Sequence, residues 1–167
     1  PACSVTRGVR PIAATAAVVA ATVLITATQP SLAAVRPPKL QYQISTLPNG
    51  LTLVTSEDHS TPIVHLNLTY HVGSKNEKPG KTGFAHLFEH LMFKGSKNVQ
   101  PEAHTSMLAS VGGQSNAYTT DDETVFWETV PAQYLPLSLW LEADRMATLR
   151  IDKDTFANER DVVKEER

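Results

Sequence analysis

His86, Glu89 and His90 are the residues of this chain whose types and spacing could do chemistry. On a helix His86 and His90, four apart, stand one above the other. Two imidazoles so placed can reach one divalent ion, and zinc is the usual occupant of such a nitrogen pair. Glu89 lies beside them. A carboxylate next to a metal can take a proton from a water whose pKa the ion lowers towards neutrality. The order His-x-x-Glu-His inverts the commoner His-Glu-x-x-His. A histidine pair on a helix can equally line a surface or a core. Here the surrounding segment is so apolar that both imidazoles would be partly buried and in need of partners, which a metal supplies.

The segment that carries them, Gly83–Phe93, has no proline and no glycine after Gly83, and Leu87, Phe88, Leu91 and Met92 form one apolar helical face. Upstream, Tyr42–Leu47 and Leu51–Ser56 read as a hairpin around Pro48-Asn49-Gly50, since Asn-Gly accepts the positive φ angles of a tight turn. Residues 62–72 alternate: Val64, Leu66, Leu68, Tyr70 and Val72 on a buried face, Ile63, His65, Asn67, Thr69 and His71 on a polar one, where His65 and His71 are expected to be solvated. Gly73–Thr82 is a polar loop, and Gly95 is a candidate C-cap for the histidine helix. A second helix over 101–111 stops at Gly112-Gly113. Strands follow over 114–119 and 123–130, around Thr120-Asp121-Asp122. Pro131 opens a long helix through Leu149 with Leu135, Leu139, Trp140, Ala143 and Met146 inward, and Asp152 N-caps a last helix that buries Phe156, Val162 and Val163. No internal repeat is visible. Antiparallel hairpins beside several helices make an α+β layer rather than a βαβ fold.

The 167 residues, 41% hydrophobic and 19% charged, suffice for one domain with a real core. A formal charge of −2 argues against nucleic acid as a partner. Cys3 is the single cysteine, which excludes an intrachain disulfide and a cysteine-based zinc site. Residues 1–34 read as a secretory signal: Arg7 and Arg10, the uncharged run Ile12–Thr28, then small residues through Ala33 and Ala34, where cleavage is expected. An uncleaved membrane anchor is the alternative reading; the apolar run is alanine-rich and shorter than the roughly 20 residues of a spanning helix, which favours the signal and leaves no stable anchor after cleavage. Export to a periplasmic or extracellular space follows. Residues 35–41, with Pro37-Pro38, read as a linker into a domain over 42–167. The ends, Pro1 and Arg167, suggest a piece of a longer protein.

A two-histidine zinc site usually takes a third protein ligand and keeps an open position. The last helix offers Glu159, Glu165 and Glu166. Glu159 and Glu166, seven apart, share a face, while Glu165 is turned about 100° from Glu166 towards solvent. Acidic helix faces are usually just solvated, so spacing alone leaves the ligand open.

Gly83–Gly95 resembles the metal-binding helix of the pitrilysin or insulinase-like (M16) metallopeptidases. Other segments agree in the right order: Pro48-Asn49-Gly50-Leu51, Val72-Gly73-Ser74, Gly112–Thr119 with Thr124-Val125-Phe126, and Glu159–Glu166. Glu166 lies 76 positions beyond His90, where the family's third ligand is found. The resemblance implies a two-layer α/β sandwich with a mostly antiparallel sheet. It also implies Zn2+ held by His86, His90 and Glu166, supported by Glu159, with Glu89 as the base for peptide hydrolysis of the inverzincin type. Gln114, Ser115, Asn116 and Ala117 would lie along an extended peptide substrate added as a strand. A turn-stabilising role for Asn116 fits the residue type as well. Family members have a second, similar half that closes over the substrate, so a second half or subunit is an expected partner, and the chain alone is expected to be weakly active. The rival readings are a non-catalytic partner subunit, a secreted metal-binding module, and S-ribosylhomocysteine lyase, which needs a cysteine ligand this chain lacks after the signal.

Overall fold

The computed structural model describes residues 39–166. The expected signal over 1–34 and the first part of the linker therefore lie outside the described residues. No helix among the described residues is long and apolar enough to cross a membrane.

Of the described residues, those up to Glu57 form one compact unit and those from Asp58 another. In the first, β1 (Gln43–Thr46) pairs antiparallel with β2 (Thr52–Thr55), Thr46 opposite Thr52. Leu47 N–H donates to the Leu51 carbonyl at 2.8 Å, so Pro48–Gly50 is a three-residue loop. Only Gly50 takes a positive φ, 88°. Asn49 instead turns its side-chain oxygen to the Leu51 N–H at 3.1 Å. The hairpin is thus as expected, but a single left-handed glycine makes the turn.

In the second unit β3 (Ile63–Tyr70), β5 (Thr124–Pro131) and β4 (Gln114–Thr119) form an antiparallel sheet in the order β3-β5-β4. Val64, Leu66, Leu68 and Tyr70 on β3 lie across from Val130, Glu128, Phe126 and Thr124 on β5, and Ser115, Ala117 and Thr119 on β4 share that face. Helices cover it: α1 (Phe84–Leu91) packs on β4 and β5, α2 (Ala103–Ser110) on β4, α3 (Leu135–Thr148) on β5, and α4 (Lys153–Glu165) on α1. This is the expected α+β, two-layer arrangement.

Caps explain several boundaries. Asp152 accepts from Thr155 N–H at 2.8 Å and starts α4. Gly113 and Gly112 donate back to Leu108 and Ala109 with Gly112 at φ 81°, a Schellman ending for α2. The strand expected to reach Val72 ends at Tyr70, because Val72 N–H folds back onto the Tyr70 carbonyl at 2.8 Å. Val72 is consequently exposed, as is Phe88, which the helical face was expected to bury; Ala85 is buried instead, with Leu87, Leu91 and Met92. Pro131 closes β5 rather than opening a helix; a 3-10 turn over Ala132–Tyr134 intervenes, and Pro136 occupies the first turn of α3, where a missing N–H costs nothing.

The largest departure is the face of α3. Leu139, Trp140, Ala143 and Met146 are exposed, and Ser138, Leu141, Glu142, Asp144 and Arg145 are buried. Leu141 joins Val99, Leu108 and Val130 in the core. Two of the buried charges pair directly. Arg145 donates through Nε to Glu142 Oε2 at 2.8 Å and through a second nitrogen to Oε1, and its guanidinium lies 4.5 Å from the Phe126 ring centre. Glu128 on β5, fully buried, has His104 Nε2 3.1 Å from Oε1. Burial pushes the Glu142 carboxyl up, with Arg145 opposing it. Burial pushes on Glu128 likewise, but His104, Glu142 and Ser138 outweigh it and hold Glu128 below its usual range. His104, Glu128 and Glu142 are close enough to hold a metal. Arg145 pairs with Glu142 and His104 stands against Glu128, so we read the cluster as a structural ion network. Likewise Val162, expected inside α4, is exposed while Val163 is buried.

Arg145→Met should therefore unfold about 3–5 kcal/mol more easily in urea, because it strands the buried Glu142 carboxylate. A loss under about 1 kcal/mol would show that the guanidinium does not neutralise Glu142.

Candidate metal centre and active site

α1 begins at Gly83, whose φ of 91° lets the chain turn sharply into the helix. The exposed N–H groups of that first turn are met by one carboxylate: Glu77 Oε2 accepts from Gly83 N–H at 2.7 Å and Oε1 from Ala85 N–H at 2.8 Å. At the other end Leu87 and Leu91 pack on Val163 of α4, with Phe156 alongside. That contact sets α4 beside the histidine face of α1.

His86 Nε2 and His90 Nε2 lie 3.2 Å apart. Glu166 Oε2, one residue past α4, is 3.4 Å from the first and 3.5 Å from the second. A tetrahedral ion with bonds of about 2.0–2.1 Å separates its ligand atoms by about 3.3–3.4 Å. The triangle of donors therefore fits zinc in size and in chemistry, and with the His86 and Glu166 side chains 37% and 46% exposed it leaves one side open to solvent. Behind it, Glu159 Oε2 lies 3.3 Å from His90 Nδ1. A proton on Nδ1 donated there leaves the Nε2 lone pair facing the triangle. Lys94 Nζ reaches the other Glu159 oxygen at 3.1 Å and Glu102 at 2.6 Å. Burial lowers the Lys94 pKa, but these two hydrogen bonds outweigh it and hold it above the ordinary value.

Glu89 is half-buried on the next face of α1, where Thr119 Oγ1 donates to its Oε2 at 2.5 Å. A cleft of about 490 Å³ opens there, lined by His86, Glu89, Ala117, Tyr118 and Thr119 among others. Of the strand residues singled out from sequence, Ala117 lines this cleft, and Gln114, Ser115 and Asn116 lie further along β4. β4 is an edge of the sheet. Asn116 is exposed, and its side-chain oxygen accepts from Ala117 N–H at 2.8 Å. His65, on the exposed face of β3, has Nδ1 2.9 Å from Thr129 Oγ1 and stands apart from the site.

Sequence reasoning missed Glu77, Lys94 and Thr119. Each acts through a contact that no local pattern announces; the alternation of β4 does place Thr119 on the same face as Ala117.

Residues 52–167 match the family described as insulinase (peptidase family M16). The chain belongs to that family. Over 128 residues it is 38% identical to the zinc protease PqqE of Helicobacter pylori, covering 76% of this chain and 29% of that protein. It superposes on a crystal structure of a protease from Helicobacter pylori with a TM-score of 0.74 at 38% identity, over 77% of this chain and 31% of the other. Subunit 1 of the bovine cytochrome b-c1 complex is 33% identical over 126 residues, 75% of this chain and 26% of that subunit. This insulinase-family chain thus spans under a third of the length of these relatives.

The carboxylate cap on α1 can be tested by itself. Glu77→Ala should cost about 1–2 kcal/mol in chemical denaturation, since two backbone donors lose a charged acceptor. Unchanged stability would show that water replaces the carboxylate without loss.

Proposed function

We propose that the protein to which this chain belongs is a zinc-dependent endopeptidase that hydrolyses peptides or small unfolded proteins. The observation that carries the reading is the donor triangle of His86, His90 and Glu166 with Glu89 one residue from the second histidine. Zinc, when bound, supplies a Lewis acid that acidifies a water and polarises a peptide carbonyl. His86, His90 and Glu166 hold the ion, and Glu159, steadied by Lys94, keeps His90 in the ligating tautomer. Glu89 takes a proton from the attacking water and gives it to the leaving amine nitrogen. The peptide lies extended along β4, from Gln114 to Ala117, and is read through its backbone, so sequence preference is broad. A second insulinase-like half or subunit supplies the other wall of the cleft. The protein works after export, in a periplasmic or extracellular space.

The likeness to a cytochrome b-c1 subunit favours a second reading, a non-catalytic subunit that keeps the fold. The test uses the full-length protein, with zinc content and cleavage of an unstructured peptide both measured. The peptidase reading expects one zinc per chain, lost in His90→Ala. It expects Glu89→Gln to keep its zinc while kcat drops by roughly a hundredfold or more, because glutamine cannot accept the proton. Zinc retained in His90→Ala removes the ligand assignment. Near-normal turnover by Glu89→Gln places the base elsewhere, and a parent with zinc but no cleavage supports the subunit reading.

A further inference from the structure

Glu89 is held by a group that the chemistry above does not use. Thr119, the last residue of β4, gives its hydroxyl proton to Glu89 Oε2 at 2.5 Å. Hydroxyl-to-carboxylate bonds of this length belong to the short, charge-assisted class. A threonine has one such proton. The neighbouring hydroxyl, Thr124 Oγ1, lies 3.4 Å from that of Thr119 and donates its own proton to the Val72 carbonyl at 3.0 Å. Both protons are thereby committed, and the Thr119 bond to the carboxylate has a fixed direction.

We propose that Thr119 is a positioning residue for Glu89. It occupies Oε2, fixes the plane of the carboxylate, and leaves Oε1 as the oxygen that accepts the proton. One proton moves from the attacking water to Glu89 Oε1 and then to the leaving amine, while Thr119 keeps its own throughout. Because Thr119 ends the strand along which the peptide lies, base and peptide carbonyl take their positions from one rigid element. Positioning of this kind matters at the level of an ångström, where misplacement costs on the order of a hundredfold in rate. The proposal rests on the peptidase reading and on Glu89 as its base.

The experiment uses the full-length zinc-loaded protein with Thr119→Val, which removes the hydroxyl at nearly constant shape, and Thr119→Ser, which keeps it. In Thr119→Val, kcat should fall roughly ten- to a hundredfold, with KM within about twofold and zinc content unchanged. Thr119→Ser should recover kcat to within about threefold. A merely structural hydroxyl would move KM or zinc content instead. A second arm needs no turnover: melting temperatures of Thr119→Val, Glu89→Ala and the double variant. The double variant should lose less than the two single shifts added together, because the second change removes a bond already broken. Additive shifts, or a Thr119→Val enzyme with unchanged kcat, overturn the positioning role alone. A parent that cleaves no peptide overturns the peptidase reading and this role with it, even where the melting shifts show the two side chains coupled.

Discussion

The packing of Leu87 and Leu91 on Val163 is the contact on which the site depends. His86 and His90 are brought together by helix geometry alone, since four residues of one helix suffice. Glu159 and Glu166 arrive from another helix, and nothing local places them. Apolar burial does. With Leu87 and Leu91 facing α4, His86 and His90 lie beside the carboxylates of that helix, and Glu159 and Glu166, two turns apart, meet them at 3.3–3.5 Å. Two carboxylates and two imidazoles gathered at one place do not by themselves hold two helices together. Burial of a few apolar side chains, at about 1.5–3 kcal/mol each, contributes more. The polar site is thus held by an apolar contact one helical face away.

The other end of α1 is tied by polar groups, and just as tightly. Gly73 lies against the turn between β4 and β5 so closely that a Cβ would meet the Thr120 carbonyl oxygen at 2.4 Å. From there Ser74 and Lys75 donate backbone N–H groups to the Thr120 and Asp121 carbonyls, and the Ser74 hydroxyl reaches Asp121. Glu77, a few residues on, caps α1. The start of the helix is therefore registered against the end of β4, which is where Thr119 meets Glu89. Two independent anchors, apolar at one end and polar at the other, leave α1 little freedom to rotate.

Segments whose local chemistry and burial agree were legible from sequence. The histidine helix, the glycine ending of α2, the Asp152 cap and the alternation of β3 are of this kind. α3 was not, because its periodicity is real but points the wrong way. Leu139, Trp140, Ala143 and Met146 make a consistent apolar stripe, and the structure buries the opposite stripe, in which Arg145 pairs with Glu142 and Asp144 is held by Ser96 and Asn98. A pattern of apolar residues cannot report an ion pair that forms only after folding. The same limit hides Thr119 from Glu89, 30 residues away, and Lys94 from Glu159. Among the acidic residues of α4, spacing narrowed the third donor to one face, and only the family resemblance separated Glu166 from Glu159.

The edge of β4 shows how an unpaired strand can stay available without inviting misassembly. Its open side offers backbone groups that any extended chain could pair with. The Asn116 side chain covers one of them, the Ala117 N–H, at 2.8 Å. An incoming peptide carbonyl would have to displace that amide oxygen, exchanging one neutral hydrogen bond for another at small net cost. A longer peptide gains further pairs along the strand and a short contact gains none. On the proposed binding mode the edge would discriminate by length of pairing rather than by side chain, with the Asn116 amide oxygen as the group an incoming strand displaces.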